Sequence, residues 1–440
     1  MIEPSPSRPA SGVSAQFDDV ACTVCGCVCD DLQLTVQGGR ISQATNACRL
    51  AEPWFLQQGD HSPPAAAVGG VECPFETAIE RAAGLLRRSR SPLIYGLSRS
   101  STPGQRVAVA LADRLGATID TTASRCHAPS LMALQEVGES TCSLGEIRQR
   151  ADLVIFWGAN PVESHPRHLE RYSALPTSEL LPRGRRDRTV VVVDVRKTPS
   201  AEQADLFIQV EPGRDFEVLW ALRGLTRGIV PDPGVDLGAD RALLECLADM
   251  MRGCRCGVAF FGLGLSLRGL GHRNVEALLL LVRDLNDFTR FHARRMRIPG
   301  DVTGADSVLC WQTGYPFSVN LANGFPRYNP GEFSASEMLS RREVDSCLLV
   351  GSEGVSRLDS SAQQYLTEIP TVVLDHPGCS PPFTPTVQFT TDVYGIHYDG
   401  TAYRMDEVPI PLRQILPPRY ASDETVLSSI AACNLDATEI

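Results

Sequence analysis

The sequence predicts an α/β protein: doubly wound parallel-sheet domains behind a small N-terminal unit built on a β-hairpin. Three observations carry this reading. From about residue 70 onward, short continuous apolar runs that end in Gly or Asp alternate with helical stretches. Residues 17–60 differ, with a cysteine-rich loop, a strand-like alternation and a Gly38-Gly39 turn. The 440 residues exceed what one ordinary core encloses, so two or three domains are expected.

Residues 1–16 are rich in Pro, Ser and Ala and are expected to form a disordered tail. They lack a basic segment followed by an apolar stretch, so they do not read as a secretory signal. In the 17–60 unit, residues 32–36 alternate, Gly38-Gly39 turns the chain, and a return strand from Arg40 leads to Asn46-Ala47-Cys48. A hairpin brings its two ends together, so Cys48 is expected beside the first group of cysteines. The apolar runs at 92–96, 153–158, 190–194, 258–262, 348–351 and 372–375 fit strands covered on both faces. Residues 78–88 and 105–115 read as helices between them. A Pro/Gly-rich stretch at 231–238 is the expected boundary between one α/β domain at 61–235 and a second at 236–400. Residues 401–440, crowded with Pro409, Pro411, Pro417 and Pro418, read as a C-terminal extension.

A net charge of −11 argues against a nucleic-acid backbone as partner. No apolar run reaches 18 residues, so no transmembrane helix is expected, and the protein is placed in the cytoplasm. Without export, clustered thiols among the fifteen cysteines point to metal or cluster binding rather than disulfides. Cys73, Cys142, Cys246, Cys310, Cys347, Cys379 and Cys433 are scattered and read as small buried hydrophobes. Cys254-x-Cys256 has no supporting residues around it.

The spacing Cys22-x2-Cys25-x3-Cys29-x18-Cys48 offers four thiolates, one for each iron of a 4Fe–4S cluster. Cys27 lies within the loop and reads as a bystander. A four-cysteine zinc site is the alternative, but zinc sites usually present two C-x2-4-C pairs and the second half here has one cysteine. Asn160, His165, Arg167 and His168 follow the run that ends at Gly158, where a doubly wound sheet binds nucleotides. Asp194, Arg196, Lys197 and Thr198 follow the next run and repeat the pattern: an acid for ribose hydroxyls, cations for phosphate. A plain NAD-type dehydrogenase is disfavoured, because Gly96-Leu97-Ser98-Arg99 is no Gly-x-Gly-x-x-Gly turn.

Several stretches occur in the order of one known family. They are CTVCGCVCDD (22–31), NACRL (46–50), RCHAPS (125–130), LVIFWGANPVESHPRH (153–168), VDVRKT (193–198), GYPF (314–317), RYNPGE (327–332) and GTAYRM (400–405). On these the chain resembles the B subunit of formylmethanofuran dehydrogenase, of the molybdopterin oxidoreductase superfamily, including the related B subunit of the bacterial formyltransferase/hydrolase complex. The resemblance implies domains of the formate dehydrogenase type and pyranopterin guanine dinucleotide at Asn160, His165, Arg167, His168, Asp194, Arg196, Lys197 and Thr198. It implies Cys126 as the protein ligand to molybdenum or tungsten, with His127 and Arg297 beside the metal. After Arg297 the chain runs Ile298, Pro299, Gly300, Asp301, less polar than the family's continuation. The implied activity is interconversion of CO2 and formate in methanofuran- or tetrahydromethanopterin-linked one-carbon metabolism. The implied partners are a zinc amidohydrolase subunit and small pterin-domain or C/D-type subunits. The alternative is a non-redox structural B subunit of a formyltransferase/hydrolase complex in formaldehyde oxidation.

Overall fold

The computed structural model describes residues 14–267, 270–298 and 300–435. Strands β1 (Ala15–Val20), β2 (Leu32–Gln37) and β3 (Arg40–Thr45) form an antiparallel sheet. Gly38 and Gly39, at φ +57° and +77°, make the turn between β2 and β3, a backbone that favours glycine. Ala15 and Gln16, expected in the tail, instead pair with Val36 and Thr35; the rest of that expected tail, residues 1–13, lies outside the described residues.

Next come β4 (Ala66–Val68), β5 (Val71–Glu72), β6 (Pro92–Gly96) and β7 (Thr118–Thr121). The chain then leaves to build β8 (Leu153–Trp157), β9 (Thr189–Asp194), β10 (Leu206–Gln209), β11 (Cys256–Phe261) and β12 (Arg290–Arg295). These five make one parallel sheet in the order β10-β9-β8-β11-β12. The chain returns with β13 (Val319–Asn320), β14 (Arg327–Tyr328), β15 (Ser346–Val350), β16 (Thr371–Asp375) and β17 (Val387–Thr390). They complete a sheet ordered β14-β13-β7-β6-β15-β16-β17-β4-β5, parallel from β7 to β17 and antiparallel at its edges.

The five-stranded sheet is therefore an insertion between β7 and β13, and the expected division at 235/236 is corrected. That division would cut β8, β9 and β10 from β11 and β12, and β6 from β15, its hydrogen-bonded neighbour. The Pro/Gly-rich stretch marks only a loop. Strand pairing across long stretches of chain leaves no trace in local composition.

Both sheets are covered on two faces, as the apolar runs require. Val154, Phe156, Val190, Val192, Val258 and Phe260 face one core, together with Leu32, Leu34 and Phe55 of the N-terminal unit. Their neighbours Leu153, Ile155, Trp157, Val191 and Val193 face another. The large sheet divides likewise, with Ile94 and Leu348 on one side and Leu93 and Leu349 on the other. The helix Thr102–Leu115 opens on Ser101, whose side chain accepts from Gly104 N at 3.3 Å, and closes on Gly116 at φ +62°, a normal cap and stop.

Residues 401–435 are not an appendage. Their helix Asp423–Leu435 lays Val426, Leu427 and Ile430 into the core of the large sheet beside Ile79 and Val109. Tyr398 Oη and Ser101 N donate to Asp423 at 2.7 and 3.2 Å. The scattered cysteines are less uniform than expected: Cys347 is buried, whereas Cys246 and Cys310 are exposed.

If that helix is part of the large domain, Leu427→Ala should cost about 2–5 kcal/mol of stability. Chemical denaturation of the full chain measures it; a loss near zero would make the segment an independent extension.

Candidate functional site

The cysteine loop is closed by Cys22 N donating to Cys29 O at 2.8 Å and Val28 N to Cys25 O at 3.1 Å. The hairpin returns the chain to Cys48, whose carbonyl accepts from Ala51 N and Glu52 N, both at 2.9 Å. Cys22, Cys25, Cys29 and Cys48 line one small pocket with Asn46, Ala51, Pro166 and Arg167, and Cys27 lines it too. Burial pushes the Cys22 thiol well up, with Cys25 adding to it. A hydrogen bond from Cys27 draws Cys25 and Cys29 down. Cys27 thus touches its neighbours rather than standing aside. The donor set is all sulfur, with no imidazole or carboxylate in the lining, which fits an iron–sulfur group.

Arg167, expected to meet phosphate, instead forms a forked pair with Asp31, at 2.7 and 2.8 Å, and faces the cysteine pocket. Arg171 pairs with Asp30 at 2.6 Å and also contacts Asp31. Arg171 and Arg167 also favour the Cys29 thiolate, while sharing their charge with Asp30 and Asp31.

Cys126 follows the 3-10 turn Thr122–Arg125 at the carboxyl end of β7. Its side chain is 2% exposed, and its thiol donates to Thr122 O at 3.4 Å. Burial pushes that thiol up to about 12; Asp306 adds to the rise, and Arg297 and Arg357 oppose it. A metal ion bonded to the sulfur would make it a thiolate near neutral pH. His127 is buried, its Nδ1 has no partner, and burial followed by Arg297 holds its ring well below the ordinary value.

Arg297 is the junction of the site. Its guanidinium is 2% exposed and donates to Asp306 Oδ2 at 2.8 Å. Asp306 lies on the helix Val302–Thr313 and accepts from Thr121 Oγ1, at the end of β7, at 2.9 Å. The Arg297 carbonyl accepts from Gly26 N of the cysteine loop at 3.1 Å and from His165 Nε2 at 2.9 Å. A Cβ at Gly26 would lie 2.5 Å from that carbonyl oxygen, so the approach demands glycine. Arg297 Nε is buried without a partner.

The residues expected at the edge of the five-stranded sheet divide into two groups. His165 and His168 are buried; their Nδ1 atoms lie 2.8 Å from Ser164 Oγ and 3.0 Å from Ser173 Oγ. Burial lowers them to about 4 and about 3, so they are neutral and inward, not cations for phosphate. Thr198 is buried too, its hydroxyl accepting from Ala201 N at 3.3 Å. Asn160 joins the loops after β8 and β9, accepting from Ser200 Oγ at 2.6 Å and donating to Glu163 at 2.7 Å. Asp194 is half-buried and pushed up by burial. Arg196 and Lys197 are exposed beside it and form no ion pair among the described residues.

The large sheet carries a crevice at its carboxyl edge, whose arginines Arg99 and Arg357 the sequence did not single out. Strand order reverses between β6 and β15, the position where such sheets bind ligands. A cavity lies there, lined by Gly96, Ser98, Arg99, Thr122, Gly351 and Arg357 among others. It borders the turn that carries Cys126. Arg99 closes its other side, donating to Thr23 O of the cysteine loop at 3.0 Å. The glycines ending two apolar runs were the available signal.

No protein-family model matches the chain. Over 412 residues it is 39% identical to the B subunit of the tungsten-containing formylmethanofuran dehydrogenase 2 of Methanocaldococcus jannaschii, covering 91% of this chain and 94% of that protein. The Methanococcus maripaludis counterpart is 35% identical, with 94% and 98% covered. The B subunit of the formyltransferase/hydrolase complex Fhc of Methylorubrum extorquens is 26% identical over 66% of this chain and 75% of its own. Among solved structures, the formyltransferase/hydrolase complex of that organism, in complex with methylofuran, superposes with a TM-score of 0.72 at 23% identity, over 86% of this chain and 100% of that one. Acetylene hydratase from Pelobacter acetylenicus gives 0.68 at 12% identity, over 95% and 69%.

The Arg297–Asp306 pair generates a direct test. Asp306→Ala strands a buried guanidinium and should destabilise the chain by about 3–5 kcal/mol. Replacing both, as Arg297→Met with Asp306→Leu, should cost less than the single change. Equal or additive losses in denaturation would show that the pair is not coupled.

Proposed function

Because the chain belongs to the family of formylmethanofuran dehydrogenase B subunits, with the molybdopterin oxidoreductase fold, we propose that it is the redox component that interconverts CO2 and formate. The single observation that carries this is Cys126 and His127 held beside Arg297, whose carbonyl is bonded to the cysteine loop. On this reading Cys22, Cys25, Cys29 and Cys48 hold a 4Fe–4S cluster. Cys126 is the protein ligand to molybdenum or tungsten. Asn160, Asp194, Arg196 and Lys197 meet the pyranopterin guanine dinucleotide, with the acid on ribose and the two free cations on phosphate. When bound, these groups supply electron transfer and two-electron exchange with carbon.

The reaction balances as CO2 + 2e− + H+ → HCO2−, and the chain's own residues handle charge and proton. Arg297 has a buried, unpartnered Nε–H that would serve the carboxylate oxygens. Asp306 fixes that guanidinium at 2.8 Å. His127, neutral in its buried setting, takes or gives the proton at its unpartnered Nδ1. An anion bound beside it would favour the charged imidazolium and so raise its proton affinity.

Leu263, Leu267 and Leu270 are exposed around Ser266, which donates to Cys126 O at 3.3 Å. An apolar rim at this place fits an interface with another protein of the complex. The partners on this reading are a zinc amidohydrolase subunit and small pterin-domain or C/D-type subunits of a cytoplasmic complex. No helix among the described residues is long and apolar enough to cross a membrane.

The similarity to the B subunit of Fhc favours a second reading, a structural component that performs no redox chemistry in a formyltransferase/hydrolase complex. Metal analysis of the purified complex separates the two. The redox reading predicts iron together with molybdenum or tungsten, lower iron in Cys25→Ser, and lower molybdenum or tungsten in Cys126→Ser. A complex active in one-carbon transfer yet free of all three metals would establish the structural reading.

A further inference from the structure

A second cavity opens beyond β15, at the ends of β15, β16 and β17. Its walls carry three side chains that the redox reading leaves unused. Glu353 follows β15, and His376 and Cys379 follow β16. One ligand atom from each, a carboxylate oxygen, an imidazole nitrogen and a thiol sulfur, lie within 4.8 Å of one another. Ligands on a tetrahedral ion with bonds of 2.0–2.3 Å stand roughly 3.3–3.8 Å apart. A small rotation of the side chains therefore brings all three onto one centre.

The imidazole is oriented as a ligand would be. His376 Nδ1 lies 3.1 Å from Pro377 O, and donating there leaves the lone pair on Nε2. That Nε2 is buried, has no hydrogen-bond partner, and lies 3.6 Å from Glu353 Oε1. A carboxylate oxygen faces that nitrogen, so the space between them takes either a proton or a metal ion. Glu353 is ion-paired to Arg99, which favours its carboxylate form. Arg99 Nε binds its other oxygen, Oε2, at 2.9 Å, leaving Oε1 free. Ser352 Oγ lies 3.7 Å from Cys379 Sγ and donates to Asp375 at 2.7 Å, fixing the hydroxyl beside the sulfur.

We propose that Glu353, His376 and Cys379 form a binding site for a zinc-class divalent cation, with its fourth position open to water. Oxygen, nitrogen and sulfur together make a borderline-soft set that selects zinc over magnesium or calcium. The ion ties the loop after β15 to the loop after β16. Through Glu353, Arg99 and Thr23 it braces the wall between the Gly96–Gly351 crevice and the cysteine loop. Glu353 also lines the crevice that borders the Cys126 turn, so the two cavities share a wall.

The test uses the full-length chain, equilibrated with ZnCl2 against a weak competing chelator, with zinc and iron measured on the same samples. Wild type should retain a zinc equivalent that His376→Gln and Cys379→Ser both lose, with iron unchanged between them. Zinc should also raise the melting temperature of wild type and of neither variant. Glu353→Gln, the mildest change, should weaken zinc retention should either of the others fail to fold. Equal zinc in wild type and variants, with no shift in melting temperature, overturns the proposal. Loss of iron with zinc unchanged in His376→Gln and Cys379→Ser would also overturn it, since these residues would then serve the iron site and not a zinc ion.

Discussion

The contact on which the rest depends is the buried pair of Arg297 and Asp306. Its carboxylate reaches Thr121 at the end of the large sheet, and its guanidinium belongs to the residue that follows the inserted sheet. The same arginine's carbonyl holds Gly26 and His165. Three parts of the chain, the cysteine unit and both sheets, therefore meet at one residue. A charge here is costly to bury alone and stable only with its partner. That makes the junction intolerant of single changes and keeps Cys126, His127 and the cysteine loop in fixed relation.

Burial sets the chemistry of the groups gathered there. The Cys126 thiol is driven up and the His127 ring down by the same loss of solvent. Neither is poised near neutral pH in the protein alone. A metal ion would reverse the balance for the thiol, and an anion would do so for the imidazole. The site is built to respond to what it binds, and its unpartnered buried nitrogens on His127 and Arg297 mark where that response would occur. Arg99 performs a different task, joining the crevice of the large sheet to the backbone of the cysteine loop.

Much of this was legible in the sequence. The apolar runs became strands because full burial on both faces leaves little room for anything else in those segments. The hairpin that returns Cys48 was written in Gly38-Gly39 and the flanking alternation. The insertion of one sheet into the other was not legible, since β6 and β15 carry no local sign of being neighbours. Nor were Asp306, Arg99 and Arg357, which act through contacts between distant segments. A basic-looking motif does not reveal that the imidazoles of His165 and His168 turn inward, where burial keeps them neutral. The C-terminal helix was hidden behind a run of prolines that reads as irregular chain.

If Cys126, held by this frame, is the protein's ligand to the redox metal, the metal's own sulfur shell should report it. X-ray absorption at the molybdenum or tungsten edge, on the complex isolated from its own cells, measures that shell. The predicted result is one fewer sulfur neighbour in Cys126→Ser than in wild type, with the remaining sulfurs unchanged. An identical sulfur shell in the two proteins would contradict it.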